Sequence, residues 1–233
     1  MYRKDLNERS PVRLLEGSIH GGLGRGNIGV AVGRHGVGKT AFLVGVALDD
    51  LMRGRKVLHV ALDQPVEKVR EYYDGIFAEL ARSAHLEDVP AEHLLMERNR
   101  NIHTYLGSSF SVERLGDAIA FLKTHAHFEP VAVMIDGYRF EAAPAEDLES
   151  LRGLAREMDA EIWMTAVTHR ESERNDRGIP EPVARVERAV SVIVSLAHDG
   201  KTVTLRLLKD HDNPDVSDLS IALNPTTMLL VKE

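Results

Sequence analysis

Gly33-Arg34-His35-Gly36-Val37-Gly38-Lys39-Thr40 decides how this chain is read, because it spells G-x-x-x-x-G-K-[ST], a complete phosphate-binding P-loop. Glycines let the backbone curl until several N–H groups point into one concavity that holds phosphate oxygens. Lys39 brings a compact positive charge to the β- and γ-phosphates, and the Thr40 hydroxyl suits Mg²⁺. Ahead of the loop, Ile28-Gly29-Val30-Ala31-Val32 reads as a buried strand. After it, Phe42, Leu43, Val46, Ala47, Leu48 and Leu51 recur at helical spacing as far as Met52, and Gly54 suits the helix end. Strand, glycine loop and helix are what the motif requires, since the helix N-terminus adds its own unpaired N–H groups and dipole. The nucleotide-contacting stretch is expected to run from Gly33 through Ala41.

Outward from the loop, strands and helices alternate. Lys56–Leu62 reads as a second buried strand, ending at Asp63-Gln64-Pro65, and Pro65 opens a helix over 66–84. Residues 85–100, with Pro90 and mixed charges, read as a short helix and loops. A strand over 101–106 and a helix from the N-cap Ser111 to about 125 follow. Val131-Ala132-Val133-Met134-Ile135 then runs into Asp136; a helix over 145–158 and a strand over 161–167 come next. Strands over 190–196 and 202–208, joined by His198-Asp199-Gly200-Lys201, precede a closing hairpin around Asn224-Pro225. This order predicts an α/β fold: a mostly parallel central sheet with helices on both faces, finished by antiparallel C-terminal edge strands. Residues 1–27 form an N-terminal segment leading into the core, and 28–233 the domain itself.

Composition narrows the function classes. With 233 residues, 43% hydrophobic and 28% charged, the chain can bury a proper core. There is no cysteine, which excludes disulfides, thiolate catalysis and cysteine metal sites. No apolar run approaches a membrane span and the start is polar, so a cytoplasmic location is expected. A net charge of −7 opposes any broad grip on nucleic acid.

A P-loop holds phosphate; hydrolysis also needs a placed metal and an oriented water. Asp136 stands at the C-terminal end of a buried strand, where open α/β sheets put their ligand chemistry, and reads as a Mg²⁺ ligand beside Thr40. Asp63 ends the second strand and reads as the general base.

Gly21-Gly22-Leu23-Gly24-Arg25-Gly26 before the first strand, the P-loop, Leu62-Asp63-Gln64-Pro65 and the aspartate strand stand in an order that resembles the RecA-type ATPases. Within them the chain is similar to the branch of the circadian-clock ATPase KaiC and the replicative helicase DnaB, over roughly residue 14 to the C-terminus. The resemblance implies a RecA-like P-loop NTPase core that uses ATP and Mg²⁺. In that branch a glutamate ends the second strand and activates water. Asp63 is one methylene shorter, about 1.5 Å less in reach, and misplacement by about 1 Å costs on the order of a hundredfold. Slow turnover is therefore expected. The resemblance also implies a γ-phosphate sensor near His169, and gives Leu208-Lys209-Asp210-His211 the place of a basic pair that reaches a neighbouring subunit's nucleotide. Lys209 matches it, whereas His211 substitutes a titratable charge for a permanent one. Action in trans implies a ring or filament with sites between subunits.

The loop after the 161–167 strand carries Arg170, Arg174, Arg177, Arg185 and Arg188 against Glu171, Glu173, Asp176, Glu181 and Glu187, with no aromatic to stack a base. It reads as a solvated, mobile loop. Nucleic acid is a possible but not the favoured partner; a protein partner is expected. The reading as a whole is an Mg-ATP-binding ATPase with slow hydrolysis, serving as a nucleotide-dependent switch in a regulatory or signalling assembly. The alternatives are a DNA-dependent recombination or repair accessory, and an ATP-binding module with little hydrolysis.

Overall fold

The structure is a computed structural model that describes residues 2–106 and 108–233. Nine strands form one sheet: β1 (Ile28–Gly33), β2 (Val57–Leu62), β3 (Arg100–Tyr105), β4 (Ala132–Asp136), β5 (Glu161–Val167), β6 (Val192–His198), β7 (Val203–Asp210), β8 (Ile221–Leu223) and β9 (Leu230–Lys232). Their spatial order is β3-β2-β4-β5-β1-β6-β7-β8-β9. The first six in that order run parallel, and β7 to β9 join antiparallel. This is the mixed sheet expected from the sequence: unbroken apolar runs in the parallel centre, alternation in β7 at the antiparallel end.

Helices cover both faces. α3 (Lys39–Met52), α4 (Val66–Ala84) and α5 (Val89–Asn99) bury Phe42, Leu43, Val69, Tyr73 and Met96 against one face. α6 (Val112–Ala126) and α7 (Ala145–Met158) bury Leu115, Ile119, Leu148 and Leu151 against the other. β1 serves both: Ala31 joins the first core, while Ile28, Val30 and Val32 join the second. Because β1 lies between β5 and β6, the C-terminal ends of β1, β2, β4 and β5 open at one edge of the sheet. That edge carries the site.

Three stretches differ from their sequence reading. Residues 85–100 hold a full helix, α5, which Asp88 caps by accepting from the Ala91 N–H and which takes Pro90 in its first turn. Residues 1–27 contain two short helices, α1 (Arg3–Glu8) and α2 (Val12–Ser18), whose Leu6 and Leu15 belong to the first core together with Ile19 and Leu23. The loop after β5, read as solvated and mobile, buries Ile179, Val183, Val186 and Ala189 in the second core and forms a 3-10 turn over Ala184–Ala189. Among the described residues no helix is long and apolar enough to cross a membrane.

Candidate functional site

The P-loop leaves β1 at Gly33 and enters α3 at Lys39. Gly38 has φ +102°, and a Cβ there would stand 2.4 Å from Leu223 Cδ2 of β8, so the last turn before the helix needs glycine twice over. The start of the loop is tied to the neighbouring strand by Thr168 N–H donating to Gly33 O at 3.1 Å.

Lys39 lies almost wholly inside this loop, 8% exposed, with Nζ donating to Gly33 O at 3.0 Å and Arg34 O at 2.8 Å. Burial pulls its pKa below the usual lysine value, and the Asp136 charge pulls the other way. The ammonium is thus held at the centre of the concavity that the N–H groups surround.

Asp136 is 4% exposed at the end of β4 and both carboxylate oxygens are used. Thr40 Oγ1 donates to Oδ2 at 2.7 Å and Thr165 Oγ1 to Oδ1 at 2.7 Å; Gln64 Nε2 approaches Oδ2 at 3.4 Å. Thr165 in turn accepts from the Gly137 N–H at 2.9 Å, which fixes the backbone just past the strand. A hydroxyl one hydrogen bond from a buried carboxylate is a hard-oxygen pair of the kind Mg²⁺ takes from a protein, the rest of its shell being phosphate and water. Thr40 and Asp136 would hold that ion.

Asp63 follows β2 with φ +60°, its N–H donating to Tyr105 O at 2.9 Å. Its carboxylate forms an ion pair with Arg139, from the turn after β4. His169 is exposed, past the end of β5, with its N–H on Ser172 Oγ at 2.9 Å. It borders a cleft of about 400 Å³ floored by Val32 and Leu208, which Arg34, Arg170, Arg174 and Arg206 also line and, among the described residues, no carboxylate does. Arg34 therefore belongs to the loop and to this cleft, and His35 is exposed beside it.

Lys209 and His211 are not brought to the P-loop. In the register of β7 on β6, Ile193 faces Lys209, and Val30 faces Ile193; Gly33 faces Leu196, three residues further on. About 10 Å of strand separates Lys209 from the loop. Lys209 Nζ donates inward to Glu187 O at 2.6 Å and Val190 O at 2.7 Å, and burial lowers its pKa. His211 is bound to Asp210 and to Leu23 O.

Thr165 and Arg139 went unread in the sequence. Thr165 did carry a signal: it is the one polar residue within the apolar run Ile162–Val167, on the same strand face as Trp163. Arg139 has none, because its role depends on where Asp63 lies.

No protein-family model matches the chain, and no curated protein matches it in sequence. Among solved structures it is similar to the ATPase domain of a DnaB-like helicase, with a TM-score of 0.66 over 90% of this chain and 86% of that one, at 18% sequence identity. Sheet order, P-loop placement and this superposition agree: the fold is a RecA-like P-loop NTPase core with an antiparallel C-terminal extension.

Proposed function

We propose that the chain binds Mg-ATP at Gly33–Ala41 and hydrolyses it slowly, acting as a nucleotide-dependent switch in a regulatory assembly. The observation that carries this reading is the Thr40–Asp136 hydrogen bond at 2.7 Å, which joins the P-loop helix to the end of β4. Phosphoryl transfer to water asks the protein for position and charge. Loop N–H groups and Lys39 would take the phosphates, Lys39 exchanging Gly33 O and Arg34 O for phosphate oxygens. Mg²⁺, when bound, neutralises charge between the β- and γ-phosphates. Asp63 would orient the attacking water and accept its proton. Two features make it a weak base: its short side chain, and the Arg139 guanidinium that stabilises its ionised form. His169 would sense the γ-phosphate and pass its state to the packed loop behind it.

Phosphate release at saturating Mg-ATP, measured beside Asp63→Asn, tests this. Turnover that falls at least tenfold in the variant supports Asp63 as base; equal or absent turnover in both, with ATP bound, leaves a binding module. Lys39→Ala is expected to abolish nucleotide binding, and binding that survives overturns the reading.

Assembly through the sites is part of the proposal. Lys209 and His211 lie too far from their own P-loop to serve it, so any role they have at a nucleotide is in a neighbour, in a ring or filament. ATP-dependent oligomers in sedimentation, lost in Lys39→Ala, would support this. A second reading, nucleic-acid-stimulated turnover, is favoured by the arginine-lined cleft beside the loop. Stimulation by single-stranded DNA that falls steeply with salt would establish it.

A further inference from the structure

The glycine stretch between α2 and β1 is clasped from two sides by groups that hold protons. Its backbone takes positive φ at His20, Gly21, Gly22, Gly24 and Gly26, so little besides these contacts fixes it. On one side the Leu23 carbonyl receives Asn27 Nδ2 at 2.9 Å and His211 Nε2 at 2.9 Å. A carbonyl only accepts, so Nε2 carries hydrogen.

His211 Nδ1 lies 2.8 Å from Asp210 Oδ1. Oδ2 of the same carboxylate faces His20 Nδ1 at 2.5 Å and Asn213 Nδ2 at 3.4 Å. Burial alone would raise the Asp210 pKa, but the hydrogen bonds from His211, His20 and Asn213 outweigh it and hold the group below the usual carboxylate range. An ionised carboxylate also only accepts. His211 must then donate from both ring nitrogens, which only the imidazolium can do.

On the other side, Glu161 at the start of β5 accepts from the Gly24 N–H and from Trp163. It shares a small cavity under the stretch with Glu16 of α2, with Asp49 and Asp50 of α3, and with Arg25 and Arg55. Burial first, then the Asp50 and Glu16 charges, raise Glu161 to about 7. Arg13 and Arg53 bind Glu16 and Asp49, and Arg55 binds Asp50, so among the described residues the acid of this cavity left without an arginine of its own is Glu161. Ionised, it repels Glu16, one turn ahead of the stretch.

We infer that His211 with Asp210 on one side and Glu161 on the other form a proton-operated latch, closed when both are protonated, that fastens the Gly21–Gly26 stretch and the end of α2 to the sheet. Raising the pH through neutrality strips both sites in the same direction. His211 then gives up one of its two hydrogen bonds, and Glu161 pushes α2 away. This inference stands apart from the nucleotide reading, since none of these groups touches the P-loop.

The test is amide hydrogen exchange on the full chain at pH 6 and pH 8, corrected for intrinsic rate. Protection of residues 19–27 is expected to fall at least tenfold on going to pH 8, while β1 and β4 hold theirs. A His211→Gln/Glu161→Gln variant should show protection there that no longer changes with pH. Unchanged protection in the parent chain, or the same decline in the double variant, overturns the latch. Should that variant not fold, ¹⁵N shifts of the His211 ring in the parent chain decide. Imidazolium at pH 6, lost together with the protection, supports the latch, and a neutral ring at pH 6 refutes it.

Discussion

Gly38 and Thr165 are the two positions where one atom decides the site. At Gly38 an added methyl meets Leu223 and an unfavourable φ of +102° at once. Gly38→Ala is expected to cost about 2–3 kcal/mol and to remove ATP binding, read by urea unfolding and nucleotide titration. Thr165→Val keeps the shape but leaves Asp136 Oδ1 without a donor and the Gly137 N–H without an acceptor. A loss of about 1–3 kcal/mol follows, with Mg-ATP giving a smaller thermal shift than in the parent chain. The P-loop and Asp136 were legible in the sequence because their chemistry sits in consecutive residues. The Arg139–Asp63 ion pair was not: those residues stand on turns after two different strands.

Within elements, the tightest seam joins β1 to β5. Gly29 pairs with Trp163, and a Cβ at Gly29 would lie 2.6 Å from the indole, which also packs edge-on against Phe42 of α3 with ring centroids 5.6 Å apart. Gly29→Ala is expected to destabilise by about 1–3 kcal/mol. Trp163→Leu should relieve part of that, so a double-mutant cycle in denaturant would give a favourable coupling; additive losses would show that the strands had shifted instead. Long periodic elements were legible from their apolar spacing. α5 was not, since Pro90 reads as a breaker until Asp88 is seen capping the helix ahead of it. α1 and α2 are too short to show a period and take their order from the core they cover.

Across the whole molecule, buried titratable groups set opposed pH dependences. His59, fully buried against Tyr73, is lowered to about 4, chiefly by burial, so the folded chain binds fewer protons there. Its stabilisation is present above about 6.5 and is lost as pH falls through 4. Asp49 and Glu161 are raised by burial to about 6 and about 7, so their stabilisation is present at low pH and lost as pH rises through those values. Glu161→Gln, which mimics the protonated acid, should therefore raise the Tm at pH 8 and leave it nearly unchanged at pH 5. His59→Phe should reduce the loss on acidification. Calorimetry from pH 4 to 8 checks both, and a Glu161→Gln effect of equal size at both pH values would contradict the assignment.

The sequence by itself determined the P-loop, the alternation of strands and helices, and hence a phosphate-binding α/β core. Those properties live in backbone conformation and apolar period, which neighbouring residues set together. Only the tertiary structure decided that Thr40 meets Asp136 across 96 residues, and that Thr165 completes the carboxylate. It also decided that Lys209 and His211 sit at the far end of the sheet from their own loop. Such meetings follow from strand order and direction, which arise when the whole chain buries its apolar faces together; no local pattern encodes them.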